Sequence, residues 1–159
     1  VTKKKSKALP TPDKYLEFLQ QISLQGIGLE NANVNVDRAA LAEAAASKKA
    51  GEIAVDADFK VVSNRPDALV VAAGFILKQM LEGDSEKVLL LIECSFSALF
   101  GVGVPIDDES AGRFANNEAK LIFWPYLRHF VSDTSYRMAI TPVLLPLVTS
   151  AASPEAGKE

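Results

Sequence analysis

Residues 68–82, ALVVAAGFILKQMLE, and residues 86–102, EKVLLLIECSFSALFGV, face each other across a turn signal at Gly83-Asp84. This pair of runs constrains the fold more than anything else in the chain. Two long β-prone segments joined by a tight turn read as a hairpin. Each is apolar on both faces for part of its length, which is how strands read when both faces of their sheet are covered. One cover is expected from a helix, the other from a second subunit or a ligand.

The segment before the hairpin, GEIAVDADFKVVSN (51–64), alternates cleanly. Ile53, Val55, Ala57, Phe59 and Val61 point one way, and Asp56, Asp58 and Lys60 the other. Period two with one polar face predicts an antiparallel strand lying on a core. Asn64-Arg65-Pro66-Asp67 is a turn signal. Earlier still, ISLQGIGLENANVNV (22–36) reads as a strand with Ile22, Leu24, Gly26 and Gly28 on one face and Ile27 and Leu29 on the other. Its glycines permit a bulge or the close approach of another backbone. A short helix is predicted over 14–20, with Asp13 as its cap. The alanine-rich stretch RAALAEAAASKKA (38–50) is expected to be an exposed helical connection.

After the hairpin, Gly101 to Pro105 break the strand, and Asp107, Asp108 and Glu109 open a helical region by complementing its dipole. Phe123, Leu127, Phe130, Thr134 and Met138 then recur at helical spacing. Pro125 sits inside LIFWPYLRHF, the most apolar and aromatic stretch, and predicts a kink or restart there. Thr141-Pro142 is the expected end, followed by the short apolar return VLLPLV. Four strands followed by one long kinked helix on one face make an α+β domain over 13–149. Residues 1–12, with their lysines, and residues 150–159 are expected to be disordered tails.

The chain offers little catalytic chemistry. His129 is the sole histidine, with Asp133 one turn on but no nucleophile to pair with. Cys94 is the single cysteine, so no internal disulfide and no cysteine zinc site are expected. Asp56 and Asp58 read as solubilising, and Gly101 and Gly103 lack the Lys-Ser/Thr of a phosphate loop. A net charge of −3 without a clustered basic face argues against nucleic acid. No run approaches the length of a spanning helix, and no signal peptide is evident, so a cytoplasmic protein without membrane insertion is expected. No metal, no cofactor and no enzymatic activity are expected.

Several segments together resemble the SecB export chaperones, and most closely the SecB-like chaperones that accompany toxin–antitoxin systems. Phe123 to Arg128, FWPYLR, is similar to the aromatic-Pro-Tyr-x-Arg segment opening that family's long helix. Ile140-Thr141-Pro142-Val143 resembles the Pro-Val stretch that follows it. Gln21-Ile22-Ser23-Leu24 is similar to the end of the first strand, Glu52 to Asp58 to the second strand, and Ile92-Glu93-Cys94 to the fourth. The resemblance spans about residues 21–147.

It implies a four-stranded antiparallel sheet, dimers or dimers of dimers, and a holdase that binds unfolded polypeptides, such as preproteins or an antitoxin, without ATP. It implies client contact at Ile53, Val55 and Ala57, joined by Leu24, Ile27 and Leu29. Trp124, Pro125, Tyr126 and Phe130 would form the helix and oligomer seam. The family's acidic docking positions for the SecA motor fall on Gln21, Gln25 and Glu93, so only Glu93 keeps the charge, and docking to SecA should be weak. The second helix of the export members is short or absent. An adaptor dedicated to one partner is the alternative function.

Overall fold

The computed structural model describes residues 12–49 and 51–147. The expected tails lie outside them, apart from Pro12. The elements are α1 (Pro12–Gln21), β1 (Ile22–Val36), α2 (Arg38–Ala46), β2 (Gly51–Asn64), β3 (Ala68–Leu81), β4 (Asp84–Val102), α3 (Asp108–Asn117) and α4 (Ala119–Arg137). The strands form one antiparallel sheet in the order β1-β4-β3-β2.

Strands β2, β3 and β4 are a meander closed by tight hairpins. Arg65 and Ala68 exchange backbone hydrogen bonds of 2.8 and 3.4 Å around Pro66-Asp67. Leu81 pairs with Asp84 around Glu82-Gly83, where Gly83 takes φ +79°, a conformation open to glycine at no steric cost. Because β1 pairs with the far side of β4, the segment containing α2 carries the chain from one sheet edge to the other. Its Ala40 and Ala44 bury against Leu81 and Leu89, and Lys87 bonds Glu43 at 2.6 Å.

The register corrects the strict alternation expected in β1. Ladder irregularities between Leu24 and Gly26, and between Leu29 and Asn31, leave Gln25 and Glu30 as extra residues. Each extra residue shifts the phase of the pleat by one. Ile22, Leu24, Ile27, Leu29, Val34 and Val36 therefore all lie opposite even-numbered residues of β4, on one face, instead of dividing between two. Leu24 and Ile27 share the helix-bearing side. The opposite face of β1 carries Ser23, Gly26, Gly28, Asn31, Asn33 and Asn35. In β2 the expected alternation holds: Ile53, Val55, Ala57, Phe59 and Val61 pair with β3 residues of the helix-bearing face.

That face is the core. Leu69, Val71, Ala73, Phe75 and Leu77 of β3 and Leu90, Ile92, Cys94, Phe96, Ala98 and Phe100 of β4 are buried beneath the helices. Burial pushes the Cys94 thiol up to about 11, leaving it a small packing residue. Aromatic edges tie the layers together. Phe114 of α3 meets Phe18 and Phe100 nearly perpendicular, and Phe130 of α4 meets Phe96 likewise at 6.1 Å. Tyr15 of α1 donates to Glu118 at 2.7 Å while Arg113 lies over its ring at 4.3 Å. Together they fix α1 to the joint between α3 and α4.

The helical region breaks at that joint and not at the proline. Asp107 caps α3 by accepting from the Ser110 amide at 2.8 Å, and Asp108 and Glu109 fill the first turn. The helix lapses at Glu118, then α4 runs through Pro125 without interruption. Proline removes the donor that the Leu121 carbonyl would use, and both residues lie on the exposed side of the helix, where solvent can take that donor's place. Gln21 ends α1, so Gln21-Ile22-Ser23-Leu24 opens the first strand where its end was expected.

Two helices end in the same device. After α4, Ile140 N bonds Ser135 O at 3.2 Å and Ala139 N bonds Tyr136 O at 3.0 Å, with Ala139 at φ +53°. Lys48 repeats the geometry after α2 at φ +54°. This is the helix-ending turn that favours glycine, and it ends α4 before Thr141-Pro142 is reached. Replacing Ala139 by Gly should raise stability by about 1 kcal/mol, because a left-handed L-residue costs about 1–2 kcal/mol. A urea midpoint that falls on substitution would contradict that reading.

Candidate functional site

The helical layer seals the central strands and leaves the edges partly open. On β1, Leu24, Leu29 and the half-buried Ile27 face the helix side; on β2, Ile53, the half-buried Val55 and the exposed Ala57 do. Leu24 is 38 % exposed, Leu29 46 % and Ile53 42 %. All six expected client residues thus lie on one face of the sheet, in two apolar margins at opposite edges. Val55 and Ile27 also pack on the core, so they support the fold as well as line a margin.

The four expected seam residues divide. Phe130 packs inward on Phe96. Trp124 is half-buried, while Pro125 and Tyr126 face outward, Tyr126 at 41 % exposure. His129 is exposed on the same helix, and the Asp133 carboxylate pairs with Arg137 at 2.7 Å.

Sequence reasoning missed the role of the segment after α4. Residues 141–147 have no regular structure and run back along the helix. Val143 N donates to Ser135 Oγ at 3.4 Å. Farther back, Arg128 Nε donates to Leu145 O and Trp124 Nε1 to Pro146 O, each at 2.8 Å. Val143 and Leu145 are buried in the main core, while Leu144 and Leu147 stand 73 % and 74 % exposed. VLLPLV is apolar at every position, so the sequence offers no pattern that separates an extended strap from a helix there.

The other face of the sheet mixes small and polar groups with the exposed aliphatic side chains of Ile76 and Leu99. A shallow depression of about 600 Å³ lies over Gly74 and Ser95, bounded by Asn31, Asn33, Asp56, Asp58, Ile76 and Glu93. Glu93 accepts from Asn33 Nδ2 at 3.0 Å. Of the other two positions matched to acidic docking residues, Gln21 belongs to α1 and Gln25 is a bulge residue that donates to Ser23 Oγ at 2.8 Å. Among the described residues no group of three or more His, Cys, Asp or Glu side chains is placed to hold a metal ion. No helix among them is long and apolar enough to cross a membrane.

No protein-family model matches this sequence, and no curated protein does. Solved structures do match. A protein of unknown function from Streptococcus agalactiae aligns over 79 % of this chain and 97 % of its own at 7 % identity and TM-score 0.48, too loosely to argue from. The Mycobacterium tuberculosis SecB-like chaperone Rv1957, solved in complex with a ChAD peptide from the Rv1956 HigA1 antitoxin, aligns over 82 % of this chain and 93 % of its own. Its TM-score is 0.63 at 20 % identity, and the fold of this chain is accordingly the SecB-like fold: a four-stranded antiparallel sheet with a broken long helix on one face.

Proposed function

We propose that this protein is a chaperone that holds non-native polypeptides, without ATP, in apolar grooves along the two edge strands. The observation that carries the reading is the pair of open margins, where Leu24, Leu29 and Ile53 remain exposed beside a sealed core. Extended segments of an unfolded chain bury apolar area there, at roughly 25 cal/mol per Å². Each contact is weak, and affinity comes from several grooves engaging one long chain. Binding only the non-native form draws population to it by mass action. A cytoplasmic homo-oligomer, a dimer or dimer of dimers, supplies those grooves. Pro125 and Tyr126, outward on α4, are its seam. Docking to SecA is weak, since Glu93 is the one acidic group kept at the matched positions.

A second reading is an adaptor dedicated to one partner, an antitoxin among the candidates. It is supported by the antitoxin peptide carried by the structural neighbour and by the strap standing where export members have a helix. Aggregation assays with several unrelated denatured proteins separate the two. Suppression of most of them at near-stoichiometric chaperone supports the general holdase. Suppression of none, together with binding of one partner only, supports the adaptor. Sedimentation velocity checks the assembly, and a lone monomer at micromolar concentration would overturn it.

A further inference from the structure

The strap is bound the way an extended peptide is bound. Three of its backbone groups are engaged by side chains of α4, through Trp124, Arg128 and Ser135. Recognition through the backbone is indifferent to sequence. Alternate side chains, here Val143 and Leu145, enter the apolar interior while their neighbours face solvent. Ser135 is itself fixed, donating to Val131 O at 2.7 Å while accepting from the strap. These are the parts of a peptide site: fixed polar groups for the main chain and apolar receptacles two residues apart.

We propose that the cleft along α4 beneath residues 141–147 is a binding site for an extended apolar segment of another polypeptide, and that the strap is its resident occupant. The ligand class is a stretch with aliphatic side chains at alternate positions. The inference rests on the client-binding reading and adds a third surface, gated from within the chain. Short tethers give effective concentrations in the millimolar range, so the strap sets a threshold that weak or brief clients do not cross. Leu144 and Leu147 stand outward on the strap and add little to its hold on α4, which rests on Val143, Leu145 and the three backbone contacts.

The test uses the chain's sole tryptophan, Trp124, which lies at the strap. A synthetic heptapeptide of sequence TPVLLPL, dansylated at its C-terminal end, is titrated into the full chain. Saturable quenching of Trp124 by energy transfer is expected. Val143→Ser with Leu145→Ser loosens the strap and leaves the α4 donors intact, and peptide affinity should rise about tenfold. Peptide binding that leaves Trp124 emission unchanged overturns the proposal, as does equal or weaker affinity in a double variant whose far-UV circular dichroism is intact. Should that variant not fold, the wild-type chain decides alone: a denatured client must displace the dansyl peptide. A client that is held without displacing it overturns the gated site and leaves the holdase reading standing. Failure to hold any client would sink the holdase reading, while peptide exchange at Trp124 would still be measurable.

Discussion

A chain carrying Leu29→Asp and Ile53→Asp is expected to lose its suppression of client aggregation while keeping its fold and assembly. Both side chains stand more than 40 % exposed, at opposite edges of the sheet, so carboxylates there remain hydrated. Surface substitutions of this kind usually move stability by about 0.5 kcal/mol or less. For a client the change is large. Each aliphatic contact removed forfeits roughly 1.5–3 kcal/mol if it was fully buried in the complex. Two together should weaken binding by a factor on the order of 100 or more. Val55 is a poorer choice, because it also packs on the core, and Val55→Asp would confound lost binding with lost structure. Sedimentation and circular dichroism must match the wild type. If they do and aggregation suppression persists, the edge grooves are not where clients bind.

The two margins show how far local pattern carries. In β2 the apolar residues fall at every second position from Ile53 to Val61, and the ladder follows that period until an irregularity between Val61 and Ser63. In β1 the apolar positions are 22, 24, 27, 29, 32, 34 and 36. Each step of three marks an extra residue, and the ladder is irregular within both such steps. Counting strictly by twos hides this and sends Ile27 to the wrong face. The signal was present, but a bulge is recognised only when the partner strand fixes the phase. Strand order was less accessible. Nothing local in residues 22–36 says that they pair with residues 90–102 in preference to residues 51–64. Pairing across that distance is decided by which edge the meander leaves free and by a connection long enough to cross.

The helix break teaches the opposite lesson. Pro125 is the strongest local breaker in the region, yet the chain stays helical through it. The lapse at Glu118 instead follows Asn116-Asn117, residues of modest helix propensity, and is fixed by the contact of Tyr15 with Glu118. That contact comes from a helix 103 positions earlier in the chain, where local reading has no reach. The strap was hidden for a related reason. Six residues of VLLPLV satisfy several structures equally, and the donors that select the extended one, Arg128 and Trp124, belong to a helix read only for its apolar stripe.

Phe123→Ala should destabilise the protein severely, whereas Tyr126→Ser, three residues on, should leave a single chain as stable as before. Phe123 is fully buried, with its ring 6.1 Å from that of Phe59 on β2, and it lies over the sheet together with Leu127 and Val131. Truncation leaves a cavity that the surrounding strands cannot close, at a cost of about 3–5 kcal/mol. A domain with roughly 5–15 kcal/mol in total would lose a large part of it. Tyr126 points the other way and stands 41 % exposed in one copy of the chain. Its replacement is felt only where another copy covers α4, as a shift in the sedimentation profile at micromolar concentration. Urea titrations read the first effect and sedimentation velocity the second. A Phe123→Ala chain whose urea midpoint barely moves would show that α4 is not the lid of this core. A Tyr126→Ser chain that unfolds as readily as Phe123→Ala would show that the outer side of α4 belongs to the interior.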